Sequence, residues 1–183
     1  MGLVEQLKKD FTISETWGPF QLRPDTPQQG IPLAALFPGI DIKERYVGLN
    51  KTGEPLGVRF SERTLLSNSR LALQAGEYAR DKGKYDSFHK RVFEAYFTDL
   101  LDIGDIKILL SVAEQAGLDP RDLKICLEQN RYRTRLEVAM NEAAEIGITA
   151  VPTFILNEVH KIVGAQPLGS FRDYLRGIDQ GVS

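Results

Sequence analysis

Residues Gly147 to Leu156 read Gly-Ile-Thr-Ala-Val-Pro-Thr-Phe-Ile-Leu and combine a helix end, a proline and a short apolar run. A helical pattern ends at Gly147, and Thr153 to Leu156 has the length and the β-branched and aromatic content of a short buried strand. Pro152 stands directly before that strand, where a residue without a backbone N–H is tolerated. From spacing alone we expect an ordinary trans proline, because only about 5–6% of X–Pro bonds in folded proteins are cis.

The residues after this stretch predict a hairpin and a final helix. Asn157-Glu158 is typical of a tight turn, and Lys161 to Val163 can return antiparallel to the first strand. An apolar stripe at helical spacing follows, formed by Phe171, Leu175 and Ile178. The C-terminal end is therefore predicted to run strand, turn, strand, helix.

The N-terminal part predicts a helix followed directly by a strand. An apolar stripe at helical spacing comes first, formed by Leu3, Val4, Leu7 and Phe11. Thr12 to Trp17 then alternates and is rich in strand formers. Prolines and glycines predict irregular structure up to about residue 40, a short helix is expected over 41–49, and 51–57 is expected to be loop.

Everything from Arg63 to Gly147 reads as helical. Within it, Asp119-Pro120 supplies a capping aspartate and a proline at the first helical position. Strand-bearing segments lie on both sides of this block, and no flexible linker marks its edges. We therefore expect one α/β domain formed by residues 1–62 and 147–183, with residues 63–146 as an all-helical insertion domain.

Composition excludes several classes of protein. The chain has 183 residues, enough to bury one core, and its formal charge of -2 argues against a nucleic-acid-binding surface. No apolar run reaches the ~18 residues of a membrane span, and residues 1–11 are too charged for a signal peptide. The one cysteine excludes an internal disulfide, which agrees with a reducing compartment. We expect a cytoplasmic protein without nucleic-acid or membrane partners.

No side chain stands out as catalytic or metal-binding. Cys126 shares a helical face with Leu123 and Leu127, which indicates a core residue with an inert thiol. His89 and His160 are far apart, and neither has the spacing of a metal ligand or of a catalytic triad. We therefore predict no catalytic residue and no metal ligand within this sequence.

A set of motifs resembles the DsbA-like family of thioredoxin-fold proteins, most closely its FrnE-like branch, which is related to 2-hydroxychromene-2-carboxylate isomerases and kappa-class glutathione transferases. The resemblance covers nearly the whole chain. Besides Gly147-Ile-x-x-Val-Pro-Thr-Phe, it rests on Trp17-Gly-Pro-Phe-Gln-Leu-Arg-Pro-Asp, Gly30-Ile-Pro-Leu, Asn68-Ser-Arg-Leu-Ala, Tyr96-Phe-Thr and Gly164-Ala-Gln-Pro. It implies an α/β, thioredoxin-like fold with a large all-helical insertion. The family's first β-strand and its Cys-Pro-x-Cys motif are absent from these residues.

The resemblance also implies a binding site. In that family the residue corresponding to Pro152 is a cis-proline beside the active site, and the backbone at Ala150 and Val151 can pair with an extended peptide or with glutathione. Asn68 lies in a segment that lines the active-site cleft of the isomerase-like relatives, although a helix cap explains it equally well. No bound cofactor is implied, and glutathione remains open as a ligand.

The implied function is that of a thiol–disulfide oxidoreductase or disulfide isomerase acting on protein thiols and disulfides. Because the redox dithiol is missing, we expect this chain alone to be inactive in that chemistry. Two alternatives stay open: a glutathione-dependent isomerase or transferase, and a non-catalytic module that binds a peptide edge or another copy of itself.

The missing strand has a physical consequence. In a thioredoxin fold the first strand is central, so its removal leaves buried backbone groups unpaired at roughly 1–3 kcal/mol each. Three resolutions are open: the natural protein starts upstream of Met1, a partner subunit in a homodimer completes the sheet, or the sheet is rearranged. We favour a sequence truncated just after Cys-Pro-x-Cys.

Overall fold

A computed structural model describes residues 2–179 of the chain. The described helices are α1 (Gly2–Leu7), α2 (Leu33–Leu36), α3 (Ile42–Gly53), α4 (Arg70–Asp81), α5 (Tyr85–Phe97), α6 (Ile106–Gln115), α7 (Pro120–Glu128), α8 (Arg133–Glu145) and α9 (Leu168–Asp179), with a 3-10 turn at Glu54–Leu56. The described strands are β1 (Ile31–Pro32), β2 (Leu65–Leu66), β3 (Thr153–Leu156) and β4 (His160–Val163). Met1 and residues 180–183, which belong to the predicted domain ranges, lie outside the described part.

The predicted C-terminal hairpin is confirmed. β3 and β4 pair antiparallel, with Thr153 opposite Val163 and Leu156 opposite His160. Asn157 and Glu158 between them have φ values of 49° and 63°, as the two central residues of a type I′ hairpin turn require. The N–H of the next residue, Val159, donates to the Leu156 carbonyl at 3.2 Å and closes the turn.

Helix α9 covers one face of this hairpin. The ring of Phe171, which is fully buried, meets the ring of Phe154 edge-on with their centroids 4.8 Å apart. Helix α1 packs beside α9, and Arg172 of α9 donates to the carboxylate of Asp10 just after α1 at 2.7 Å. The opposite face of the hairpin carries Ile155 and Val163, both of which are exposed.

An apolar core cluster lies in the helical block. Helices α4 to α7 enclose one apolar cluster, and the fully buried alanines of α4, Ala75 and Ala79, leave room for the large side chains Tyr78, Phe88 and Leu109. The predicted cap of α7 is also confirmed, because the Asp119 carboxylate accepts from the N–H of Arg121 at 2.8 Å.

The predicted strand at Thr12 to Trp17 is wrong. These residues are irregular, and within residues 2–179 no strand pairs with them. Alternation and strand-forming residues alone do not make a strand, because each backbone group needs a ladder partner. Ile13 and Trp17 remain half-buried through their side chains.

Three further differences lie in the irregular regions. Ile31–Pro32 and Leu65–Leu66 pair antiparallel, so a two-residue strand lies inside the block predicted to be all helical. Leu33–Leu36 forms a helix of one turn in a region predicted to be irregular. Helix α3 continues through Gly53, and the chain turns only at Gly57, whose φ is +71°. Such short elements have no periodicity from which a sequence reading can detect them.

None of the helices described in residues 2–179 combines the length and the apolar composition needed to cross a membrane.

Candidate functional site

Helix α8 ends in a geometry that aims the chain toward β3. Gly147 has a φ of +67°, the left-handed conformation that favours glycine after a helix. The N–H of Gly147 donates to Ala144 at 3.0 Å, and the N–H of Ile148 donates to Ala143 at 2.8 Å. These two bonds form a Schellman motif, which satisfies carbonyls at the helix end and sharply redirects the backbone.

Lys161 of β4 fixes the same helix end. Its Nζ donates to the carbonyl of Ile146 at 3.1 Å and lies 3.5 Å from the carbonyl of Gly147. A cation at a helix C-terminus is favoured by both the free carbonyls and the helix dipole. Residues 148–152 are therefore held between a capped helix and a hairpin.

The Val151–Pro152 segment leaves part of its backbone free. The peptide bond between these residues is cis, and Val151 is 50% exposed. The hydroxyl of Thr153 donates to the Ala150 carbonyl at 2.7 Å, and the N–H of Gly164 donates to the Pro152 carbonyl at 2.8 Å. In contrast, the N–H and C=O of Val151 have no hydrogen-bond partner within residues 2–179. The segment thus offers one donor and one acceptor to a ligand.

Asn68 is structurally engaged instead. It is buried, its amide donates to the carbonyl of Thr26 at 2.5 Å, and its Oδ1 accepts from the N–H of Arg70 at 2.9 Å. These bonds cap the start of α4 and tie it to the preceding loop. In the part of the chain that the structure describes, no hydrogen bond joins Asn68 to residues 150–152. The structure therefore groups Ala150, Val151 and Pro152 and leaves Asn68 with the helix cap.

A hairpin held against the end of a capped helix and a following C-terminal helix, with a helical block inserted ahead of them, is the arrangement that the sequence motifs imply. A family model described as a DSBA-like thioredoxin domain matches residues 3–176. The chain belongs to the DsbA-like thioredoxin-domain family. The fold is accordingly the DsbA-like thioredoxin fold with a large helical insertion.

Two individual proteins are also similar to this chain. The uncharacterized protein YwbO of Bacillus subtilis is 32% identical over 160 residues, a match that spans 84% of this chain and 77% of YwbO. The crystal structure of the probable DsbA oxidoreductase SCO1869 from Streptomyces coelicolor superimposes with a TM-score of 0.78 over 91% of this chain and 75% of that one. At 22% identity, the second comparison shows the shared DsbA-like fold.

The single cysteine of this DsbA-like chain is far from Val151 in sequence, and it lies in the core of the helical block. Cys126 is buried on α7 between the apolar residues of the helical block, as predicted. Its Sγ lies 3.7 Å from Nη1 of Arg131 and 3.9 Å from a carboxylate oxygen of Asp122. A buried thiol is poorly placed to attack a substrate disulfide.

His89 is also buried, not at the surface. Its ring lies in an aromatic cluster formed by Trp17, Tyr85 and Phe93, with the centroids of Trp17 and Phe93 each 4.6 Å away. Burial disfavours the charged imidazolium and lowers the pKa of His89 to about 4. Among residues 2–179, no three His, Cys, Asp or Glu side chains gather as a metal site would need.

The sequence analysis missed two residues that shape the segment. The hydroxyl of Thr153 donates to the Ala150 carbonyl, and Nζ of Lys161 donates to the carbonyl of Ile146 at the end of α8. Both follow from register, because Thr153 is the first residue of β3, and Lys161 lies opposite Ile155 on the outer face of the hairpin. The role of Lys161 could have been predicted by combining the register of the hairpin with the predicted end of α8.

Proposed function

We propose that this chain carries the peptide-binding part of a thiol–disulfide oxidoreductase of the DsbA-like family. The observation that supports it is the free N–H and C=O of Val151, between two residues whose carbonyls are already occupied. An extended substrate that pairs with this donor and acceptor adds to the protein as a short strand. The exposed Val151 side chain gives such a peptide an apolar contact.

Rigidity on both sides of the segment favours this role. The Schellman motif and Lys161 fix residues 146–148, and the bond from Gly164 to Pro152 fixes the start of the hairpin. A binding segment that is already ordered loses little conformational entropy when a ligand pairs with it. The backbone of Val151 is thus available in a fixed position.

The redox step needs sulfur atoms that this sequence does not supply. A thiolate attacks a substrate disulfide, a mixed disulfide forms between the two, and the second substrate sulfur leaves as a thiolate. A second enzyme thiol then resolves the mixed disulfide, so two cysteines are required. The chain has one cysteine, which is buried. We place the reactive dithiol outside these 183 residues, and we expect the chain alone to lack dithiol activity.

A second candidate is a binding module without redox chemistry. Within the described residues β3 pairs with β4 on one side only, so its other edge remains free for a peptide or for β3 of a second copy. Glutathione, which has peptide amides of its own, is the alternative small ligand for the backbone of Val151.

A binding experiment tests the shared part of these proposals. The ¹⁵N-labelled chain is titrated with an extended peptide containing S-methylcysteine and, separately, with S-methylglutathione, while the Val151 amide resonance is followed. We expect this resonance to move with the preferred ligand. The variant Val151→Asp should weaken binding, whereas Val159→Asp, at the 78%-exposed tip of the hairpin, should not. An unmoved Val151 resonance with both ligands would contradict the proposal, unless sedimentation shows a dimer that already covers the β3 edge and so selects the second candidate.

A separate experiment tests the redox part. The coding sequence upstream of the Met1 codon is read, and the longest in-frame product is assayed for insulin reduction beside the present chain. We expect a Cys-x-x-Cys-bearing product to reduce insulin and the present chain to be inactive. Activity in the present chain would refute the placement of the dithiol. An upstream stop codon, with no active product, would leave only the binding module.

A further inference from the structure

A cleft of about 220 Å³ opens between α4, α8 and the irregular segment that precedes α2. Gln21 and Pro24 line it from the segment, Arg70 and Gln74 from α4, and Met140 from α8. None of its lining residues belongs to Ala150–Pro152. The cleft is therefore a separate candidate site.

The base of the cleft holds two buried amide side chains that lack partners. Gln74 is 1% exposed and Gln21 is 5% exposed. Within residues 2–179, neither Oε1 of Gln74 nor Nε2 of Gln21 has a hydrogen-bond partner. Buried polar groups are nearly always paired, so an acceptor and a donor left free together indicate a ligand that carries both. Both residues line the cleft, and the terminal torsion of glutamine has broad minima, so the two amide groups can rotate when a ligand enters.

The rim of the cleft is positively charged. Arg70 donates through Nη2 to the Pro24 carbonyl at 3.3 Å, and it forms no ion pair in the described part of the chain. The carboxylate on the rim, that of Glu137, is neutralised by Nε of Arg133 at 2.7 Å. Arg70 therefore supplies the net charge, and a guanidinium binds a carboxylate through two parallel hydrogen bonds.

One wall of the cleft is apolar. Leu136 and Met140 are four residues apart on α8 and so lie on the same face of the helix. The backbone N–H of Gln21 donates to Sδ of Met140 at 3.0 Å, which holds the segment against this wall. Met140 and Leu136 thus give the cleft an apolar lining on the side of α8.

We propose that this cleft binds the C-terminal residue of a peptide. Its α-carboxylate pairs with Arg70, its last amide lies between Gln74 and Gln21, and its side chain contacts Leu136 and Met140. The volume is below the 300–1,000 Å³ of ordinary small-molecule pockets, so about one or two residues can enter. Protein chains and glutathione both end in an amide followed by a carboxylate, so either can supply the ligand.

The direct test is an NMR titration of the ¹⁵N-labelled chain with N-acetyl-Ala-Ala and with the same peptide capped as a C-terminal amide. We expect the free acid to move the side-chain amide resonances of Gln21 and Gln74, and the capped peptide to bind at least about tenfold more weakly. Equal binding of both peptides, or no movement of either resonance, would overturn the proposal. S-methylglutathione is the third ligand, and tighter binding than N-acetyl-Ala-Ala, followed on the side-chain resonances of Gln21 and Gln74, would assign the cleft to glutathione instead of a protein C-terminus.

Variants provide the second test. Arg70→Gln should weaken binding of the free acid about tenfold, and Gln74→Met, which keeps the side-chain volume, should weaken it several-fold. Arg176→Gln, on the exposed part of α9, is the matched control and should bind normally. If Gln74→Met fails to fold, Arg70→Gln decides alone, and normal binding by that variant refutes the site. Val151→Asp should leave this binding unchanged, which separates the cleft from the function proposed for Val151.

Discussion

Nζ of Lys161 lies 3.1 Å from the carbonyl oxygen of Ile146, so the second strand of the hairpin is tied to the end of the helix that precedes the first strand. The end of helix α8, residues 148–152 and the hairpin are thus connected both by the chain and by this hydrogen bond. Loss of this contact should be measurable as loss of stability.

Replacement of Lys161 by methionine should lower the free energy of unfolding by about 0.3–1 kcal/mol, because the last carbonyls of α8 lose a charged donor. The measurement is urea unfolding followed by circular dichroism. Lys124→Met, which removes an exposed pair with Glu128, is the control and should change stability by less than about 0.5 kcal/mol. Equal effects of the two substitutions would show that the contact with α8 is unimportant.

Two substitutions at residues with a left-handed backbone conformation should change the stability of the chain in opposite directions. Gly147→Ala places a β-carbon at a φ of +67° and should destabilise the chain by about 1 kcal/mol. Glu158→Gly relieves a side chain at a φ of 63° in the hairpin turn and should stabilise the chain by about 0.5–1 kcal/mol. Thermal unfolding of both variants beside the parent chain checks the signs, and a stabilised Gly147→Ala would contradict the Schellman geometry.

Phe171 should be the side chain of α9 that matters most for stability. It is fully buried against Phe154, so Phe171→Ala should cost about 3–5 kcal/mol. Tyr174→Ala on the same helix is the comparison, because Tyr174 is exposed and its ring centroid lies 6.0 Å from that of His160. If both alanine variants lose the same stability in urea, the packing of α9 on the hairpin is not as described.

Stability should fall as the solution is acidified, in part because of His89. The pKa of His89 is lowered to about 4 by burial, whereas an unfolded histidine titrates near 6.5. Between these pH values the unfolded chain binds the proton and the folded chain does not. Each fall of one pH unit therefore lowers the free energy of unfolding by at most about 1.4 kcal/mol. Above pH 6.5 this contribution is constant.

The variant His89→Phe should remove that part of the pH dependence. It retains an aromatic ring among Trp17, Tyr85 and Phe93. Urea unfolding between pH 4 and pH 7 gives the slope, and His160→Gln is the matched control at a half-buried histidine. An unchanged slope in His89→Phe would show that His89 titrates normally in the folded chain.

The sequence was most informative where local signals agreed with the packing. The cap at Asp119-Pro120, the glycine after α8 and the turn at Asn157-Glu158 each act within a few residues, and the structure places each where it was expected. The family resemblance supplied the fold and singled out the Val151–Pro152 segment as a candidate binding site.

What the sequence did not show depends on distant partners. The alternation of Thr12 to Trp17 predicted a strand, but a strand exists only when a neighbour accepts and donates its backbone hydrogen bonds. The bond from Lys161 to the end of α8 joins two different elements, and the cleft brings Gln21 of an irregular segment near Gln74 of α4. No periodicity records such contacts.

The position of Cys126 allows opening of the helical block to be measured directly. The thiol is 3% exposed between α7 and the rest of the helical block, and it is the one cysteine of the sequence. A chromogenic disulfide reagent can therefore modify the chain at a single atom, and only while the block is open. The rate of colour development then measures how often the block opens, without any introduced label.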